Sequence, residues 1–221
     1  MGFHALGFVV YHRRDVLGLT VSVSPEREEA ERQEEKRDRI EKILDEVYLL
    51  AGVDKPKRAL MVLFGRLQEL NDDLDLHEYL FGRFLLWQKK AVALGHGKHY
   101  ITLLARHKHY GKAFKIYRTC VDINPKFQLD TATPILPLST QAYQEHRYSL
   151  ILQLTEKFKE LYPEHNDIIA VNFLRAKAFT ELSQYIEANT LIKQLLSHKN
   201  HPLYIDIKAH AIFLMKLKNN R

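Results

Sequence analysis

A phrase of 17 residues occurs three times in the second half of the chain, and this repetition constrains the fold more than any other feature. The three copies span residues 109–125, 147–163 and 184–200. Aligned without gaps, they place Tyr110, Tyr148 and Tyr185 at one position, with spacings of 38 and then 37 residues. A fixed period of this length is typical of stacked helical hairpins, in which each unit buries its apolar face against the next. The sequence therefore predicts a helical array, and such arrays mostly bind partners.

The repeated phrase resembles the second helix of a tetratricopeptide repeat. The first copy supplies that family's aromatic, small, large, small and closing proline positions as Tyr110, Ala113, Tyr117, Cys120 and Pro125. The resemblance implies about three degenerate repeats over residues 97–202, in an all-α array of antiparallel hairpins that forms a right-handed superhelix. The match is incomplete, because Ile151 replaces the small residue in the second copy and Asn200 replaces the proline in the third. An irregular helical bundle is the alternative fold.

The remaining segments also have helical patterns. Ser24-Pro25 predicts the start of a helix that is highly charged over residues 26–46 and apolar on one stripe from Ile40 onward. A second helix is predicted over residues 57–70, and a third from about 76 to 94, ended by a turn at Gly95-His96-Gly97. The predicted division is an N-terminal segment at 1–23, N-terminal helices at 24–96, repeats at 97–202 and a capping helix at 203–221. In the capping helix, the stripe expected to dock on the array is Ile205, Ala209, Ile212 and Met215.

The first 14 residues, MGFHALGFVVYHRR, leave two alternatives open. They resemble the end of a transmembrane helix followed by a positive cytoplasmic flank, and such an origin would make this chain the cytoplasmic part of a larger membrane protein. Alternatively, the segment packs on the array or forms a short strand. No stretch of the sequence reaches the ~18 apolar residues of a membrane span. We expect a cytoplasmic protein, or one at the cytoplasmic face of a membrane.

Positive charge is concentrated in the middle of the chain. The net charge is +6, and residues 79–121 contain nine Lys or Arg and no acidic residue. The predicted basic patch consists of Arg83, Lys89, Lys90, Lys108, Lys112, Lys115 and Arg118. Such a surface attracts acidic partners: a protein or peptide, or RNA bound through residues 83–118. A solvated surface that keeps the array soluble is the third possibility.

The repeat alignment also predicts which residues line the concave face of the array. These are Lys98, Thr102 and Arg106 in the first hairpin, Thr140, Tyr143 and Gln144 in the second, and Phe173 and Lys177 in the third, with Ala170 beside them. In the family that the phrase resembles, this groove holds extended peptides or a C-terminal carboxylate. The resemblance therefore implies a protein-interaction scaffold with a partner of acidic character.

Catalytic and cofactor motifs are missing from the sequence. Gly95-His96-Gly97-Lys98 lacks the earlier Gly and the following Ser or Thr of a phosphate loop. His77-Glu78 lacks the second His of a zinc-protease helix, because Phe81 occupies that position. His96, His99, His107 and His109 have no Cys or carboxylate nearby. We therefore predict neither an enzyme nor a metal or cofactor site.

Overall fold

The computed structural model describes residues 11–14, 20–52, 55–70 and 73–219. The chain divides into two compact units, Met1–Leu70 and Asn71–Arg221. Within the described residues there are eleven helices and one pair of short strands. None of these helices combines the length and the apolar character needed to cross a bilayer.

The first unit contains a β-hairpin and two helices. The elements are β1 Tyr11–Arg14, β2 Thr20–Val23, α1 Pro25–Gly52 and α2 Pro56–Leu70. The strands are antiparallel, with Tyr11 opposite Val23. β1 is the only described part of the predicted membrane-contacting segment, since residues 1–10 lie outside the described residues.

Helix α1 is solvated in its front half and packed in its rear half, as the charge pattern predicted. Ser24 caps the helix, because its Oγ accepts a hydrogen bond from the Arg27 N–H at 3.3 Å. Ion pairs such as Arg27–Glu31 link exposed side chains one turn apart. Further along, α1 packs against α2, and among the side chains described in these two helices the buried ones are Leu44, Val47, Ala59 and Leu63.

The second unit is a succession of helices that pack mainly against their neighbours in the chain. They are α3 Leu74–Leu86, α4 Lys90–Arg106, α5 Tyr110–Ile123, α6 Ile135–Gln144, α7 Tyr148–Thr155, α8 Phe158–Leu161, α9 Ile168–Glu181, α10 Tyr185–Leu195 and α11 Tyr204–Asn219. Helix α6 also contacts α9, so successive hairpins stack on each other. The predicted fold class, an all-α array of antiparallel hairpins, is confirmed.

One turn geometry recurs at four of the helix connections. In each, three residues link two helices, and the middle one has a positive φ: Gln88 at 55°, Lys108 at 62°, His146 at 57° and Ser183 at 61°. Two backbone hydrogen bonds close each turn; in the second, they run from Lys108 N to Ala105 O and from His109 N to Leu104 O. This pattern satisfies the last carbonyls of the first helix and reverses the chain within three residues.

The predicted turn at Gly95-His96-Gly97 is wrong, because these residues lie inside α4 and the turn is at residues 87–89. Gly97 allows close packing here. A Cβ at this position would lie 2.7 Å from Cys120 Sγ on α5 and 3.1 Å from Phe81 Cε2 on α3. Cys120 is fully buried, and burial raises the pKa of its thiol to about 12.

The expected docking stripe of α11 is also wrong. Over residues 204–217, α11 buries Ile207, Ala211 and Leu214. They join Phe173 and Ala176 of α9 and Ala188, Ile192 and Leu195 of α10 in one core cluster. The stripe of Ile205, Ala209, Ile212 and Met215 is exposed. Since α11 is apolar on both faces, its sequence pattern does not determine which face is buried.

Candidate partner-binding groove

A cleft of about 690 Å³ lies between α6, α9 and α11. Its walls are mostly apolar, and its polar lining residues are Thr140, Lys177, Asp206 and His210. The apolar lining residues are Leu136, Ala170, Phe173, Leu174, Leu203, Ala209 and Phe213. Four residues expected on the concave face, Thr140, Ala170, Phe173 and Lys177, therefore line one cleft.

Lys177 is held against aromatic rings at this cleft. Its Nζ lies 4.3 Å from the centroid of the Tyr143 ring and 5.7 Å from that of Phe173. An ammonium group at these distances is attracted to the ring faces. The Tyr143 hydroxyl donates to Glu181 at 3.3 Å, and burial, with the Glu181 charge, raises the pKa of Tyr143 to about 12. The structure thus brings together Tyr143, Phe173 and Lys177 of the predicted set.

His210 also lines the cleft, and the sequence did not predict it there. Its ring meets Phe173 edge-on at a centroid distance of 5.9 Å, and its Nε2 lies 2.9 Å from Thr180 Oγ1. Burial, and secondly the Lys177 charge, lowers the pKa of His210, so the ring is neutral near pH 7. His210, Asp206 and Phe213 were missed because α11 was expected to turn another face toward the array.

The α4 part of the predicted groove is occupied by the chain's own loop, residues 124–134. Lys98 Nζ lies 2.6 Å from Asp130 Oδ1, and Thr102 Oγ1 lies 3.2 Å from Thr131 Oγ1. Phe127 of the same loop is buried. Lys98 and Thr102 thus contact the 124–134 loop, while Arg106 and Gln144 are exposed at the ends of their helices, outside the cleft lining.

The predicted basic patch is partly neutralised by acidic residues from other segments. Lys112 Nζ lies 2.6 Å from Glu78 Oε2, and this hydrogen bond raises the pKa of Lys112. Arg118 pairs with Glu145 at 3.6 Å. Arg83 donates to the Tyr79 hydroxyl at 2.9 Å and lies over its ring. The two ion pairs reduce the positive field that the linear sequence indicates, whereas the contact of Arg83 with Tyr79 leaves its charge unchanged.

The other cations of the set are spread along α4 and α5. Lys89 and Lys90 are at the start of α4, and Lys108 follows its end. At 1.5 Å per helical residue, the two ends of α4 are roughly 24 Å apart. Lys115 is exposed on α5. The predicted cations therefore do not form one compact cluster.

Two histidines form a buried pair that the sequence did not indicate. His77 Nδ1 lies 3.0 Å from His96 Nε2, and the two side chains are 1% and 0% exposed. His107 and His109 are exposed at the α4–α5 turn, so the four histidines noted in the sequence do not share a site. Among the described residues, no group of three or more His, Cys, Asp or Glu side chains is placed to hold a metal ion.

No protein-family model matches the chain, and no curated protein matches it either. Two solved structures of tetratricopeptide-repeat proteins are similar to it. TTC0263 of Thermus thermophilus is 13% identical over 80% of this chain and 98% of its own, with a TM-score of 0.33. YrrB, described as having an unusual peptide-binding site, is 13% identical over 76% of this chain and 90% of its own, with a TM-score of 0.31. At these values, neither protein indicates what this chain binds.

Proposed function

We propose that the protein is an interaction module that binds a segment of a protein partner in the cleft between α6, α9 and α11. The observation that carries this proposal is the placement of Lys177 against Tyr143 and Phe173 at the edge of an apolar cleft. Recognition sites commonly combine apolar walls with a few polar groups that fix the orientation of the ligand. The volume, about 690 Å³, is within the usual range of such sites.

The expected occupant carries an apolar side chain and, close to it, a carboxylate. The apolar group would contact Phe173, Leu174 and Phe213, which line the cleft. The carboxylate would pair with Lys177, whose orientation against the rings reduces the entropy lost on binding. Glu181, bonded to Tyr143, keeps the local charge low, so we expect one carboxylate and not a polyanion.

Selection of peptides from a displayed random library on the full chain tests this proposal. Bound peptides should share an acidic residue next to an apolar one, and Lys177→Ala should weaken their binding at least tenfold. Thr140→Trp, which adds bulk to the cleft lining, should block binding. Lys193→Ala, at an exposed position on α10, is the matched control and should leave affinity unchanged. Selected peptides that bind the Lys177 and Thr140 variants as tightly as the wild type would disprove the assignment.

RNA binding through residues 83–118 is the alternative, and the pairing of Lys112 and Arg118 with acidic residues weakens its support. A salt titration separates the two functions. Each phosphate contact releases counterions, so RNA affinity would fall steeply with salt. Binding of a single carboxylate in an apolar cleft depends on salt far less.

A further inference from the structure

Helix α11 carries a continuous apolar stripe on its outer face. Ile205, Ile212 and Met215 are 78%, 47% and 63% exposed. At 3.6 residues per turn, Ile205, Ala209 and Ile212 lie within about 60° of one another around the helix axis. The buried residues Ile207, Ala211 and Leu214 lie on the opposite side. The helix therefore has one apolar face in the core and a second one in solvent.

A helix that only covers the end of an array has a polar outer face, because that face is in water. Isolated exposed apolar residues are ordinary, whereas a contiguous stripe marks a surface that another molecule covers. The outer face of α11 carries such a contiguous stripe. Phe213, 49% exposed, extends it toward the cleft.

The charges at the two ends of the stripe indicate what covers it. Asp206 is exposed in the first turn of α11, and Lys216 is exposed in its last part. Two copies of α11 that cross antiparallel about a two-fold axis would place each Asp206 close to Lys216 of the other copy. The same arrangement sets Ala209 opposite Ile212 of the second copy, where the small side chain permits close approach. Antiparallel helices also bring opposite ends of their dipoles together.

We infer that a second copy of this chain covers the outer face of α11, in an antiparallel, two-fold symmetric pairing. The face is self-complementary in charge and in side-chain size, as an isologous interface requires. One helix face is smaller than the ~800 Å² per partner of a standard interface. The association is therefore expected to be reversible and to depend on concentration in the micromolar range. The inference does not depend on the identity of the cleft's occupant, but Asp206 and Ala209 also line the cleft, so pairing and cleft binding share these residues.

Charge exchange at the two ends tests the pairing. Sedimentation equilibrium of the full chain should show a reversible monomer–dimer equilibrium. Asp206→Lys and Lys216→Asp should each weaken self-association at least tenfold, because each places like charges together at both ends. An equimolar mixture of these two variants should associate about as well as the wild type, since each supplies the charge that the other lacks. Lys193→Asp, on α10, is the control and should have no effect.

A second variant tests the apolar stripe itself. Ile212→Glu should leave the protein monomeric, with an unchanged circular-dichroism spectrum, because Ile212 is exposed and outside the core cluster. A wild-type chain that stays monomeric at hundreds of micromolar would overturn the inference. So would a dimer that Ile212→Glu leaves intact, or two charge variants that do not associate on mixing; either result would place the contact elsewhere.

Discussion

Substitution of Gly97 by alanine tests the account of how α4 packs between α3 and α5. The added Cβ would lie 2.7 Å from Cys120 Sγ and 3.1 Å from Phe81 Cε2. The first distance is far inside van der Waals contact, and both neighbours are buried, so neither has an open space to move into. The helix would have to shift, or Cys120 would have to leave its rotamer.

Two opposing effects set the size of the change. Glycine to alanine inside a helix stabilises by about 1 kcal/mol, whereas overpacking a core costs roughly 1–3 kcal/mol. Gly82 is the matched control, since it lies inside α3 and a Cβ there meets nothing within 4 Å. Gly82→Ala should therefore raise the free energy of unfolding by about 1 kcal/mol. Gly97→Ala should change it by roughly 0 to −2 kcal/mol, the sum of the two effects.

The assay is urea unfolding followed by the fluorescence of Trp87, the single tryptophan of the chain. Trp87 lies in the turn between α3 and α4, so its signal reports the hairpin in question. The double variant Gly97→Ala with Cys120→Ala removes the clashing sulfur. The free energy of unfolding of the double variant should be at least about 1 kcal/mol higher than the sum of the two single changes predicts. Gly97→Ala that stabilises as much as Gly82→Ala, or a pair with no coupling, would refute the packing argument.

Two further predictions concern the same hairpins. Burial, with the nearby His77 and His99, holds the pKa of His96 well below that of an exposed histidine, so below pH ~6.5 the unfolded chain binds one more proton than the folded chain. The free energy of unfolding should then fall by about 1.4 kcal/mol per pH unit as the solution is acidified. Urea unfolding midpoints, followed by Trp87 fluorescence at pH 7.5 and 5.5, measure this fall, and equal midpoints would contradict the prediction. Lys108→Gly should raise the free energy of unfolding by roughly 0.5–1 kcal/mol, because a φ of 62° strains a residue that has a Cβ. Lys115→Gly, inside α5, should instead lower the free energy of unfolding by about 1 kcal/mol. Thermal melts in which the two variants change the melting temperature in the same direction would contradict the turn argument.

The repeated phrase predicted the hairpins well because its residues pack against helices that are adjacent in the chain. Tyr110, Tyr148 and Tyr185 are the first residues of α5, α7 and α10. The small residues three positions later, Ala113 and Ala188, are fully buried. Spacing of this kind depends on contacts between helices that are consecutive in the chain, so it is visible in one sequence.

Contacts between distant residues could not be predicted in this way. The second copy of the repeated phrase, residues 147–163, resembles one continuous repeat helix, but α7 ends at Thr155 and α8 begins at Phe158. Arg175 of α9 explains part of the break, because its Nη1 donates to the carbonyl oxygens of Thr155 and Glu156 at 3.0 and 3.2 Å. These donors satisfy carbonyls that a continuous helix would use itself. The partner is about 20 residues away, and no local pattern indicates it.

The groove residues were also predicted without knowledge of contacts between distant residues, and this affects where the candidate site lies. Lys98 was expected to meet an acidic partner, and it meets Asp130, an acidic residue of the chain's own loop. Lys177 belongs to the same predicted face, but its contacts are aromatic rings, which orient the ammonium group and leave its charge uncompensated by a direct carboxylate contact in the described structure. Periodicity places both lysines on one face, because it reports only the angle around a helix axis. Whether a lysine on this face can bind a ligand depends on which segment of the chain lies next to it. The chain's own loop contacts Lys98, whereas Lys177 lies at the cleft bounded by α6, α9 and α11, so this cleft and not α4 is the candidate site.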